Sequence, residues 1–316
     1  MIAGQDRAVA QFTEAAASGK LHHAWLLAGP RGVGKACFAR AAALRILAEA
    51  AGPRVDLPGL DTPADHPVAH LMAAGSHPDF RQLKRELNDK GDKLRRNISV
   101  EQVRKLGSLF GSTPFLSPWR AVIIDAVDDL EAEGANALLK MLEEPPAKCL
   151  FLLVAHAPGR LLPTIRSRCR RLDFQPLDDE AMTSVLRREL PDADVARLLP
   201  LAEGSVGRAL SYAALDLAPV EAELRALMRD GDPTNARRAK LAQSLSSKAA
   251  AERYAAFLRL VPSVVAREVR LLDGRKRERA LDAYASVRET VALAGRLSLD
   301  PGATVFIIGT ALSSIP

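Results

Sequence analysis

The sequence predicts a three-layer α/β domain with a parallel sheet, followed by helices alone. Three observations predict it. A short apolar run, HAWLLAG (His23 to Gly29), feeds a glycine-rich loop and then an Ala/Leu-rich helix. Two further apolar runs, RAVIID (Arg120 to Asp125) and FLLVAH (Phe151 to His156), are separated by helical sequence. Unbroken apolar runs between helices are the pattern of parallel strands covered on both faces. After Asp173 no further strand is read.

The elements follow in order. Gln5 to Gly19 reads as a helix closed by glycine, and Cys37 to Ala51 as the helix after the loop. Pro53 to Pro67 is rich in Pro, Gly and Asp and reads as a loop. Arg81 to Asn97 is densely charged, with a turn at Lys90-Gly91. It reads as a solvated hairpin or loop, with contact to DNA as the alternative. Ser99 to Phe110 reads as a helix opened by a capping box, Ser99 with Gln102. Asn136 to Glu144 is a helix stopped by Pro145-Pro146. Beyond Asp173, three short helices are expected at Leu177 to Leu190, Val195 to Gly204 and Val206 to Leu215. Longer helices follow from Val220, and a late one starts at Asp300-Pro301 with Asp as cap and Pro in the first turn. The expected division is 1–174 for the α/β domain, 175–216 for a small three-helix unit and 217–316 for a helical assembly domain.

Bulk composition sets the class. The chain has 316 residues, too many for one typical core, with 48% hydrophobic, 26% charged and 4% aromatic residues. The net charge of +6 and a pI of about 9.4 are mildly basic, compatible with work near nucleic acid or with a solvated surface. Cys37, Cys149 and Cys169 lie far apart and form no C-x-x-C pair, so neither disulfides nor a thiolate zinc cluster is expected. No signal-peptide pattern and no uncharged membrane-length run is seen, which makes a soluble cytoplasmic protein the expectation.

The glycine loop reads GPRGVGKA, against the phosphate-loop pattern G-x-x-x-x-G-K-[ST]. Gly29, Gly34 and Lys35 fit, and Gly32 adds a third glycine. Ala36 stands where a hydroxyl would ligate Mg²⁺. The second strand ends IIDAVDDL. Asp125 fits the carboxylate that holds the metal through water, but the next residue, where a general base would position the attacking water, is Ala126. Asp128 and Asp129 are shifted by three or four residues and should point elsewhere. Loss of one such group commonly costs two or more powers of ten in rate, so loss of two makes hydrolysis an unexpected activity here.

The stretches HHAWLLAGPRGVGKA, GSHPDF, NALLKMLEEPP, LLPTIRSRC and EGSVGRAL occur in that order over most of residues 4 to 210. Together they resemble the bacterial replicative clamp loaders of the AAA+ class, the DNA polymerase III loader subunits, and within them the delta-prime branch. The last hundred residues are similar only in helical character. The resemblance implies an AAA+ nucleotide-fold domain with a degenerate phosphate loop, a three-helix lid and a helical collar. It implies a non-hydrolysing subunit at one end of a five-subunit ring, beside a gamma/tau ATPase subunit, with delta at the other end. Such a loader opens the sliding clamp and places it on primed DNA in the cytoplasmic, nucleoid-associated replisome. No independent ATPase activity is implied, although the subunit would belong to the DNA polymerase III holoenzyme, a nucleotidyltransferase complex.

Site residues follow from the resemblance position by position. Arg168, in Ser167-Arg168-Cys169, matches an arginine finger that reaches a neighbour's ATP, where a planar permanent cation suits the developing phosphate charge. A salt bridge at the domain edge is the alternative. Arg166, Arg170 and Arg171 read as rim charges or DNA-facing groups. Arg208 matches a lid arginine that contacts nucleotide in active members; with the loop degenerate, local pairing is the expectation. His156 stands near a polar sensor position, or is a hydrogen-bonded strand-end histidine. ATP and Mg²⁺ are expected on the neighbouring subunit, and no cofactor on this chain. Many relatives carry a four-cysteine zinc module before the HPD motif; Ala50 to Gly75 here holds no cysteine, and His66 and His70, with Pro67 between them, are no structural zinc site. No zinc or other metal is therefore expected. The competing readings are a working AAA+ ATPase, gamma/tau-like or a DNA remodeller, and a plain nucleic-acid-binding protein. Against the latter, no aromatic stacking platform is visible.

Overall fold

The computed structural model describes residues 2–91, 93–111, 113–297 and 299–316. The chain divides into two compact units, 1–185 with 204–207, and 186–203 with 208–316.

The first unit carries a five-stranded parallel sheet in the order β2-β3-β4-β1-β5. The strands are β1 (Ala24–Ala28), β2 (Phe80–Lys84), β3 (Arg120–Asp125), β4 (Cys149–Ala155) and β5 (Arg170–Asp173). All of β1 and β4 is buried, as runs without a polar residue require. Helices α1 (Asp6–Ala17) and α2 (Lys35–Ala51) supply the Phe12 and Phe38 rings, 5.7 Å apart between centroids; Phe12 meets Trp25 and Phe38 meets Phe174, each at 5.1 Å. On the other face, Leu26, Val122, Ile124, Phe151 and Leu153 form a core with α4 (Val100–Arg104), α5 (Leu106–Gly111), α6 (Ala132–Glu143) and α7 (Pro163–Ser167). The three-layer α/β architecture expected from the sequence is present.

Two local readings need correction, and one helix goes unread in the sequence. The helix expected over Ser99 to Phe110 is split at Lys105 into α4 and α5, although its capping box forms as expected, with Ser99 Oγ accepting from Gln102 N and Gln102 Oε1 from Ser99 N. The charged stretch from Arg81 begins inside β2, and its turn then follows at Gly91, φ +70°, beside an antiparallel bridge between Leu87 and Leu94. The proline-rich loop ends on a helix, α3 (Pro67–Ala73), whose N-cap is His66. The His66 ring accepts from Val68 N at 3.2 Å through Nδ1, which leaves Nε2 to donate to the Pro53 carbonyl at 3.2 Å. Arg45 of α2 donates to the carbonyls of Val55, Leu57 and Asp61, so this segment is shaped by an arginine and a histidine.

α8 (Asp179–Glu189) and α10 (Val206–Ala214) begin in the first unit and run into the second. The second unit is helical throughout its regular structure: α9 (Val195–Ala202), α11 (Ala218–Asp230), α12 (Ala236–Ser246), α13 (Ala251–Val269), α14 (Gly274–Leu297) and α15 (Pro301–Ser313). Its core gathers Leu224, Leu227, Phe257, Leu260, Val287, Val305, Ile308 and Leu312. α15 starts as expected, with Asp300 accepting from Ala303 N at 2.7 Å and Pro301 in the first turn. Two buried carboxylates are compensated by arginine. Asp232 takes Arg238 at 3.1 Å, and Glu221 takes Arg225 at 2.6 Å and Arg267 at 2.8 Å.

Candidate functional site

The glycine loop joins the carboxyl end of β1 to α2, with Gly34 as the N-cap of α2. Gly29, Gly32 and Gly34 have φ of +153°, +77° and +99°. Two of them are also needed for space. A Cβ on Gly29 would sit 2.2 Å from the Phe174 carbonyl oxygen, and one on Gly32 would sit 2.3 Å from Ser205 Oγ. The glycines thus admit a backbone path and two close approaches that a side chain would block. The stretch Gly204 to Gly207 leans on the loop: Gly207 N donates to Gly32 O at 3.0 Å and Ser205 Oγ to Arg31 O at 2.9 Å. Buried Gln5 donates through Nε2 to both Val33 O and Gln175 O. The loop is therefore fixed from its back, by contacts far apart in sequence.

Lys35 points inward. It is 3% exposed, and its Nζ donates to the carbonyls of Gly29 and Pro30. Burial lowers its pKa to about 8, against the opposing pull of Asp128 and Asp125. Asp125 ends β3, and burial raises its pKa despite Lys35 nearby. Ala126 is buried. The two following carboxylates are already engaged. Asp128 accepts from the backbone amides of His156 at 2.6 Å and Ala157 at 2.9 Å, tying the end of β3 to the end of β4. Asp129 pairs with Arg85 at 3.2 Å and lies 3.8 Å from Arg31. The sequence shows these acids but not the amide partners of Asp128, which lie just past β4, about thirty residues on.

His156 sits just past β4. Its Nδ1 is buried and has no hydrogen-bond partner among the described residues, and burial, with help from Lys35 and Arg31, lowers its pKa to about 4. It is a neutral imidazole at physiological pH. Arg208, in the second unit, pairs with Glu203 at 2.5 Å.

Arg168 caps the C-terminus of α7, at the sheet edge next to β5. Its side chain is 35% exposed, with Nη2 lying 2.8 Å from Glu143 and Nη1 donating to the Thr164 carbonyl at 3.0 Å. The next residue behaves differently: Cys169 packs on the core, and burial pushes its thiol up to about 12. Arg170 lies over the Trp25 ring and Arg171 pairs with Asp173. A further residue, unassigned by sequence reasoning, is Asp79 of the HPD motif. It is buried and accepts from the amides of Phe115, Leu116 and Ser117. Burial alone would raise its pKa, but these three bonds outweigh that and hold it below the usual range. Among the described residues no helix is long and apolar enough to cross a membrane.

Parallel sheet, glycine loop at the start of α2 and acid at the end of β3 define a phosphate-loop α/β protein of the AAA+ type. The family model described as "DNA polymerase III, delta subunit" matches residues 4–178, more than half of the chain. The chain belongs to this family, among its delta-prime members and within the wider group of clamp-loader-type subunits that includes gamma/tau. It is 36% identical over 189 residues to the DNA polymerase III subunit delta' of Pseudomonas aeruginosa, a match covering 58% of this chain and 53% of that protein. It is 30% identical over 210 residues to the subunit tau of Bacillus subtilis, covering 65% of this chain and 33% of that one. The chain thus spans about half or less of the length of these relatives. A solved DNA polymerase III gamma subunit-related protein from Thermotoga maritima shares the fold, with a TM-score of 0.50 and 18% identity, over 96% of this chain and 98% of that one.

Proposed function

We propose that this chain is a non-hydrolysing stator subunit of a DNA polymerase III clamp loader, and that Arg168 acts in trans on a neighbouring gamma/tau subunit's ATP. The observation that carries the reading is the inward turn of Lys35. The residues around the loop do not fit a magnesium-bound nucleotide. The lysine that would meet phosphate is spent on two loop carbonyls, Ala36 offers the metal a methyl group, and Asp128 and Asp129 are committed to amides and arginines. Asp125 alone remains of the metal-holding set, too little to order both a metal and an attacking water. Arg168 offers the opposite case: a permanent charge on a helix end at the edge of the unit, partly open to solvent.

In this reading ATP and Mg²⁺ sit on the neighbour, and this chain needs neither a cofactor nor zinc. The partners are gamma/tau and delta in a five-subunit ring, with the sliding clamp and primed DNA met through the complex in the cytoplasmic replisome. The division into nucleotide-fold domain (1–174), lid (175–216) and collar (217–316) belongs to the same proposal. His156 and Arg208 are then vestigial sensors, one neutral and one paired with Glu203. The test is ATP turnover by a reconstituted loader, with clamp and primed DNA, carrying R168A in this chain. Silence of the isolated chain and a loss of about tenfold or more in the loader support the proposal. Turnover by the isolated chain, or an unimpaired R168A loader, contradicts it.

A further inference from the structure

Arg168 is held from two sides. Glu143, the last residue of α6, takes Nη2 at 2.8 Å, and Thr164 of α7 takes Nη1 through its carbonyl at 3.0 Å. Both helices are pinned in the same core, α6 by Leu138 and Leu142 and α7 by Ile165. The two acceptors therefore belong to one packed body, and together they fix the direction and plane of the guanidinium. These contacts, with a longer one from Nη1 to Ser167 Oγ at 3.4 Å, all run to the two terminal nitrogens. Guanidinium carries five N–H donors, so among the described residues Nε–H and one Nη2 hydrogen stay available for another acceptor.

The pair is half exposed, with side-chain exposures of 35% for Arg168 and 47% for Glu143. Ion pairs this open to water contribute little to stability. Its consequence lies in orientation. A free arginine side chain samples many rotamers and loses them on docking, whereas one already held in place does not. Resting on the reading of Arg168 as a trans-acting finger, we infer that Glu143 is its positioning residue. The Glu143 carboxylate keeps the fork extended along the rim, so that it meets the neighbour's phosphate with its geometry set. Glu143 itself touches no reacting atom.

The experiment uses the complete reconstituted loader with clamp and primed DNA, ATP as the probe, and this chain as wild type, E143Q, R168A or the double variant. E143Q keeps the size of the side chain and removes its charge. The expected result is a fall of about three- to tenfold in kcat for E143Q with KM for ATP unchanged. R168A falls further, and the double variant equals R168A, because a positioning residue has nothing left to position. The thermal midpoint of the E143Q chain stays at the wild-type value. Wild-type turnover in E143Q overturns the inference, as does a gain in turnover, which would make Glu143 a restraint that Arg168 must escape. A loss in E143Q that adds to the R168A loss also overturns it. An R168A loader at wild-type turnover overturns the finger reading itself, and the role of Glu143 falls with it.

Discussion

The glycine loop and the rim of α7 are two charged regions of the same unit, built in opposite ways. In the loop, Lys35 is buried and spent on the carbonyls of Gly29 and Pro30. At the rim, Arg168 is partly open and, among the described residues, meets one exposed carboxylate and helix-end oxygens. The loop keeps its shape through contacts behind it, at Phe174, Ser205 and Gly207. The rim keeps its arginine presentable through contacts beside it, at Glu143 and Thr164. A phosphate loop can therefore be retained for its backbone. Its glycines join strand to helix and admit close neighbours, whether or not its side chains meet a nucleotide.

Breaking the loop should cost the fold, and breaking the rim should not. G29A is expected to destabilise the chain by at least about 3 kcal/mol, measured by urea unfolding, because the new Cβ meets backbone at 2.2 Å. A midpoint near wild type would show that the loop can relax and is not held from behind. A buried pair gives the next contrast. D232A is expected to cost about 3 kcal/mol in the same assay, since Arg238 is left largely buried without its carboxylate. A loss near zero would make that pair no different from the one at the rim.

The pH dependence sharpens the loop side. The unfolded chain binds a proton on His156 near pH 6.5, and the folded chain does so only near 4. The unfolded state therefore holds more protons between these values, and stability must rise with pH across that window and be lost on acidification. For this one group the loss from pH 8 to pH 5 is about 2 kcal/mol. His23 and His77 are lowered in the same direction, chiefly by burial, so H156F should reduce the acid slope without removing it. An unchanged slope in H156F would show that the imidazole beside Lys35 is hydrated. At the small end stands E143Q, whose stability should change by less than about 0.5 kcal/mol, as for other half-exposed pairs. A loss above about 1 kcal/mol would make the rim pair part of the scaffold.

What could be read from sequence divides along physical lines. β1, β3 and β4 were legible because both faces are covered and every residue reads apolar or nearly so. β2 (FRQLK) and β5 (RRLD) lie at the two edges of the sheet, β2 burying only Phe80 and Leu83 and β5 only Leu172, so no apolar run marks them. The helix at Pro67 was hidden behind its own histidine cap, a residue outside the usual Ser, Thr, Asp and Asn signal. In the site, the substitutions at Ala36 and Ala126 are local and visible. The inward turn of Lys35, the service of Asp128 to His156 and Ala157, and the pairing of Arg168 with Glu143 are not. The last two depend on which distant segments the fold brings together, and the first on the path of the loop backbone, and spacing along the chain carries neither.

The most direct test sets the two regions against each other in one assay: ATP turnover by a reconstituted loader carrying either K35M or R168A in this chain. The account predicts that the K35M loader stays within about twofold of wild type while the R168A loader falls by about tenfold or more. The reverse pattern, a collapsed K35M loader and an intact R168A loader, would contradict it and return the chemistry to the glycine loop.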